Sequence, residues 1–132
     1  MKLTIPSSSR TQFVDITAKI QQAIEKTGIK DGVCMIYVPH TSAGVTINES
    51  ADPSVATDIL TVLDRLIPQQ EKYRHAEGNS PAHVKASLMG SSQLVGIENN
   101  RLVLGTWQGI FLCEFDGPRT RSVHLRFLTS CP

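Results

Sequence analysis

Apolar residues recur along this chain at two spacings, one near 3.6 residues and one of two, and the two spacings separate helices from strands. Ile20, Ala23 and Ile24 stand at i, i+3 and i+4 and predict a helix over about Ala18 to Thr27, stopped by Gly28. Val55, Ile59, Val62, Leu63 and Leu66 predict a second helix, with Asp52 as its N-cap, Pro53 at its first position and Pro68 at its end. Ser80-Pro81 predicts a third and shorter one, with Ser80 as N-cap and Gly90 as its stop. Residues 2–16 read as extended, on the aromatic and β-branched Phe13, Val14 and Ile16. Val33 to Val38 is an unbroken apolar run too short for a helix, which predicts a central strand buried on both faces. Val45 and Ile47 alternate with Thr46 and Asn48, a strand with one polar face. Four further strand-like runs follow: Leu94 to Ile97, Leu102 to Leu104, Ile110 to Phe115 and Val123 to Leu128. The turns between them, Glu98-Asn99-Asn100, Gln108-Gly109 and Asp116-Gly117-Pro118, are short and predict an antiparallel meander. The sum is a single domain over residues 1–132. Its predicted class is α+β, a mainly antiparallel β-sandwich of about eight strands with roughly two or three helices.

Composition narrows the partners. The chain has 132 residues, 40% hydrophobic and 19% charged, an ordinary globular balance. A net charge of +1 without a basic run argues against nucleic acid or an anionic membrane as partner. No apolar stretch approaches the roughly 20 residues of a membrane span. Met1 to Pro6 lacks the apolar core of a signal peptide. Cys34, Cys113 and Cys131 are odd in number and widely spaced, so they read as small hydrophobes in a reducing compartment. A cytoplasmic location is the expectation.

The candidate chemistry centres on the stretch from Tyr73 to His83, which holds two of the four histidines together with Glu77, Asn79 and Ser80. His83 falls in the first turn of the third predicted helix, where the helix dipole disfavours imidazolium. The neutral ring is the form that binds a metal, and free backbone N–H groups in that turn suit an anion. His-x7-His matches no standard ligand spacing, so the bland alternative is a loop with exposed polar histidines. His40 leaves the buried strand behind Pro39; with His75 and His83 it makes three imidazoles, the ligand count of an open metal site. Glu49 and Glu114 end strands near these segments and are the candidate general bases or imidazole partners. Asp52 is sufficiently explained as a cap, and Asp58 as a solvated helix residue. Arg119 and Arg121 follow a Gly-Pro turn and suit two-pronged capture of phosphate, with Thr41, Ser42 and Asn79 as further anion ligands. Trp107, next to Gln108, is either core filler or a flat wall for a planar ring. His124 alternates with Ser122 and Arg126 and faces solvent or a neighbouring subunit.

Taken together, several segments resemble the YjbQ family, whose members are named secondary thiamine-phosphate synthases. They are His40-Thr41-Ser42-Ala43 with Asn48-Glu49, Asp52-Pro53 with Asp58, and His75-x-Glu77-Gly78-Asn79 with Ala82-His83. Leu104-Gly105-Thr106-Trp107-Gln108 and Glu114-x-Asp116-Gly117-Pro118-Arg119-x-Arg121 complete the set. The resemblance implies a jelly-roll-like or α+β sandwich that forms a homotrimer, with the site completed by a neighbour's Arg119 or Arg121. It implies a divalent metal, zinc, at His40, His75 and His83. It also implies a phosphorylated small-molecule substrate and a named reaction that joins a pyrimidine pyrophosphate to a thiazole phosphate with release of pyrophosphate. That reaction is regarded as secondary for the family. The alternative function is a non-catalytic metal- and anion-binding metabolite module.

Overall fold

A computed structural model describes residues 1–129, so Cys131 lies outside the described residues. The element order is β1 (Lys2–Pro6), β2 (Gln12–Asp15), α1 (Thr17–Thr27), β3 (Gly32–Tyr37), β4 (Ala43–Glu49), α2 (Pro53–Leu66), α3 (Ser80–Met89), β5 (Ser92–Glu98), β6 (Arg101–Leu102), β7 (Gln108–Glu114) and β8 (Thr120–Thr129). The strands form one five-stranded sheet, in the order β1-β8-β3-β5-β6, and one three-stranded sheet, in the order β2-β7-β4. Every pairing is antiparallel. The predicted α+β sandwich is therefore the observed one.

The main core lies between the two sheets. Ile5, Cys34, Ile36, Val95, Ile97, Val123 and Leu125 enter it from the large sheet, Val45, Ile110 and Leu112 from the small one, and Ile20, Ala23 and Ile24 from α1. A second core lies on the other face of the small sheet. There Phe111 and Cys113 of β7 meet Leu63 and Ile67 at the end of α2 and Ala82 and Ala86 of α3. The period of two along β7 thus feeds two cores, even residues inward and odd residues toward the helices. Each fully buried aliphatic side chain contributes about 1.5–3 kcal/mol.

Three expectations change. The strand over Val33 to Val38 is buried on one face: Cys34 and Ile36 are fully covered, while Tyr37 is 42% exposed. Its other face belongs to the outer surface of the large sheet, which no element covers among the described residues. The C-terminal strands do not form one meander. Only β5 and β6 make a hairpin, across Asn99 and Asn100, both at positive φ. The chain then crosses to the small sheet for β7 and back for β8. Turn signals set where strands stop, but a turn residue carries no information about which sheet the next strand joins. Finally, α3 starts one residue early: Asn79 is its N-cap, without a side-chain cap bond, and Ser80 and Pro81 are already helical. In α2 Asp52 caps as expected, its Oδ1 accepting from the Ser54 N–H at 2.9 Å. Of the predicted stripe Leu63 is buried and Ile59 partly buried, joined by Ile67 at the C-cap, while Val62 and Leu66 are exposed.

Candidate functional site

The sandwich closes at one end on a buried ion pair. Glu114 is the last residue of β7 and Arg121 the second of β8, so the pair ties one sheet to the other. Glu114 is 0% and Arg121 3% exposed. Arg121 donates from Nε to Glu114 Oε1 at 2.9 Å and from Nη2 to Oε2 and to Ser42 Oγ, the last at 2.9 Å. Ser7 Oγ donates to Oε1 at 2.7 Å and the Asp116 N–H to Oε2 at 3.0 Å. Burial alone would raise the Glu114 pKa, but the donors Arg121, Ser7 and Asp116 together hold it below the usual carboxylate value. Glu114 is thus an ionised, saturated carboxylate, and its place is not that of a free base. Arg121 is engaged with Glu114 and Ser42 and does not stand open to a phosphate.

On this support sit two histidines. His40 follows Pro39 just after β3, and its Nε2 accepts the Ser122 N–H at 2.9 Å. A ring nitrogen that accepts is bare, so the neutral ring carries its proton on Nδ1. Burial, and next the charge of Arg121, lower the His40 pKa below the ordinary histidine value. His83, in the first turn of α3, makes the opposite arrangement. Its Nδ1 donates to the Thr41 carbonyl at 2.9 Å, because a carbonyl can only accept. In the neutral ring Nε2 is then bare. His40, Thr41 and His83 border one open cavity of about 450 Å³, together with Ala43, Ser87 and Gly90. The backbone therefore presents one imidazole as a donor and the other as an acceptor beside the same space.

His75 joins from the preceding loop. Its ring centre lies 5.3 Å from that of His83, edge to face, and its Nε2 lies 3.8 Å from Glu77. Asn79 donates to Asp116 Oδ2 at 3.0 Å, and Arg119 donates to the same oxygen at 3.2 Å, so Asp116 links the histidine loop to the β7–β8 turn. Asn79 Oδ1 is buried without a partner among the described residues. Arg119 is half exposed, and its Nε also donates to the Asp116 carbonyl at 2.8 Å. In the sequence Asp116 is marked only by its Asp-Gly-Pro turn, and Ser7 by nothing. For Ser7 no signal in the sequence exists, since its partners lie 107 and more residues away.

Three predicted site residues lie elsewhere. The register pairs Ala43 with Glu114 at the ion-pair end and Glu49 with Gln108 at the other. Along a strand at roughly 3.3 Å per residue the two ends are about 20 Å apart. Trp107 is 63% exposed at that far end. Gln108 closes its own turn, its Oε1 accepting the Gly105 N–H at 2.8 Å. Glu49 borders a separate cavity between β2 and α2, with Asp15 and Pro53. Within one chain these residues do not meet the histidines.

Among the described residues no group of three or more His, Cys, Asp or Glu side chains is arranged to hold an ion. His83 has the form of a ligand, with Nδ1 held by a backbone carbonyl and Nε2 bare. The 5.3 Å spacing to His75 suits two imidazoles on one tetrahedral ion, for which nitrogen–metal bonds of about 2 Å give roughly this separation. His40 does not fit, because the Ser122 N–H occupies its bare nitrogen.

Residues 1–130 match the family described as "UPF0047 protein YjbQ-like". The UPF0047 protein YugU of Bacillus subtilis is 50% identical over 127 residues, 96% of either chain. A UPF0047 protein of Methanocaldococcus jannaschii is 51% identical over 127 residues, 96% of this chain and 92% of that one. Among solved structures, an uncharacterised YjbQ/UPF0047 protein of Clostridium acetobutylicum superposes with a TM-score of 0.95 at 51% identity, over 97% of this chain and 99% of that one. A YbjQ-like protein of unknown function from Sulfolobus solfataricus gives 0.94 at 33% identity, over 98% and 96%.

Proposed function

The chain belongs to the YjbQ-like family of UPF0047 proteins, and on that premise we propose that it is an enzyme acting on phosphorylated small molecules at the His40–His83 cavity. The best-named reaction is thiamine-phosphate synthesis from a pyrimidine pyrophosphate and a thiazole phosphate. One observation carries the reading: two imidazoles held in opposite hydrogen-bonding senses border one cavity. Departing pyrophosphate gains negative charge, and fixed N–H donors stabilise it. His40 Nδ1–H and the Arg119 guanidinium are such donors. The attacking atom in that reaction is the thiazole nitrogen, so no protein nucleophile is required. His83 Nε2 accepts a hydrogen bond from substrate, or with His75 holds a divalent cation, zinc in this reading. Bound there, the cation would offset charge on phosphate oxygens.

The non-catalytic binding module is favoured by a different observation. Neither carboxylate named as a base stands free at this cavity: Glu114 is saturated, and Glu49 is at the far end of β4. Purified protein assayed with both precursors, with and without chelator, separates the readings. Turnover that falls at least about tenfold in His83→Ala and His40→Ala supports the enzyme. Turnover unchanged in both variants refutes the site, and tight ligand binding without turnover supports the module.

The same reading includes a homotrimer and a cytoplasmic setting. Leu94, Leu128, Val103 and Tyr37 remain exposed, and strand register brings Leu94, Leu128 and Tyr37 to the outer face of the large sheet. An apolar face of this kind suits a subunit contact. Cys34 and Cys113 are free and buried, as thiols in a reducing compartment are. No helix is long and apolar enough to cross a membrane among the described residues.

A further inference from the structure

We infer that a second cavity, around α3 from His83, binds the phosphate group of a small molecule through Arg10 and Lys85. His83 and Lys85 are two residues apart on one helix, which turns them about 200° from each other. The cavity measures about 530 Å³ and is lined by Arg10, Thr11, Asp64, Gln69, Gln70 and Lys85. Lys85 lies on the buried face of α3 and is 5% exposed. A buried ammonium demands partners for its charge and its three N–H groups. Phe115 lies 5.9 Å away with its ring facing the ammonium. Asp64 Oδ1 is the one hydrogen-bond acceptor that Lys85 meets among the described residues. Further N–H capacity is thus left at a cavity wall.

A clamp between α2 and α3 would explain the Lys85–Asp64 pair by itself. It does not explain Arg10, which comes from the segment between β1 and β2 and donates to Gln69 Oε1 at the same cavity. The lining therefore holds two cations to one carboxylate. A phosphate group matches this: it carries excess negative charge and several oxygens that take N–H donors from different directions. The cavity wall also reaches the histidine loop. Gln69 Nε2 donates to the Gly78 carbonyl at 2.8 Å, in the segment that carries His75. An occupant touching Gln69 thus touches a side chain that positions this loop. This cavity and the His40–His83 cavity share no lining residue among the described residues.

The test is a titration of isotope-labelled protein with inorganic phosphate, read by amide chemical shifts. Saturable shifts at Thr11, Gln69 and Lys85 are expected in the native chain and equally in His83→Ala. Binding should weaken at least about tenfold in Arg10→Gln and in Lys85→Met. Arg10 is exposed and outside both cores, so R10Q decides the matter even if K85M fails to fold. Shifts confined to Thr41 and His83, shifts that never saturate, or native-like binding in R10Q would overturn the assignment. Loss of turnover in H83A with this binding intact would leave the two sites independent.

Discussion

Replacing Arg121 by methionine removes three of the contacts that hold Glu114, and leaves a fully buried carboxylate with Ser7 Oγ and the Asp116 N–H as its donors. Taking one partner from a buried ion pair costs about 3–5 kcal/mol, because the other charge stays desolvated. Domains of this kind have total stabilities of about 5–15 kcal/mol. The expected loss is therefore a large fraction of the whole. With a urea dependence near 2 kcal/mol per molar, the unfolding midpoint should fall by roughly 2 M. The companion double variant, Glu114→Leu with Arg121→Met, replaces the pair by apolar volume and should lie within about 1 kcal/mol of the native chain. The pH dependence follows from the same contacts. The unfolded Glu114 titrates as an ordinary glutamate, and its folded value is lower, held down by Arg121, Ser7 and the Asp116 N–H against the opposing effect of burial. Its contribution is complete above the unfolded pKa and is lost as pH falls through the folded one. The double variant should lack that part of the acid slope. Equilibrium urea unfolding from neutral to acid pH, run on all members of the cycle, measures every term. A loss under about 1 kcal/mol in Arg121→Met, or a coupling energy near zero, would refute the claim that this pair ties the sheets together.

Other consequences are open to direct measurement. The His40 imidazole, lowered by burial and by Arg121, should titrate below the ordinary histidine value by NMR. Its stabilising part is present above the unfolded pKa and is lost as pH falls through the folded one; in Arg121→Met the titration should move upward. Gly44→Ala places a Cβ 2.6 Å from the Gly90 carbonyl oxygen and 3.1 Å from Met89 Cβ. It should cost about 1–3 kcal/mol by thermal or urea unfolding, since backbone on α3 must yield. Leu94→Glu, at 68% exposure on the outer sheet face, should leave the monomer fold intact by circular dichroism. Light scattering should show a trimer in the native chain and smaller species in the variant; an unchanged assembly would remove that face as the contact.

Much of the secondary structure was legible in the chain. The Ile20, Ala23, Ile24 stripe and Gly28 bounded α1 to within a residue, and Asp52-Pro53 marked the start of α2. The Val33–Val38 run was a strand, and the Asn99-Asn100 turn was a hairpin. The site was legible in part. His40, Thr41 and His83, each a candidate from the sequence, border one cavity. Glu49, Trp107 and Gln108 carry the same polar and aromatic cues at a strand–turn junction, but they stand at the opposite end of β4 and β7.

What the sequence determined by itself is local. Periodicity states which residues of an element face inward, and Gly, Pro and Asp state where the element stops, because both follow from backbone sterics and near-neighbour hydrogen bonds. The tertiary structure alone decided which sheet each strand joins. It thereby placed Glu114 against Arg121 across the sandwich, the Ser122 N–H on His40, and the Thr41 carbonyl on His83. Those contacts join residues 7, 82 and 42 positions apart. They settle whether a carboxylate is spent or free and which imidazole nitrogen is bare, since both depend on the donor or acceptor that packing brings near, and not on the residue's own neighbours in the chain.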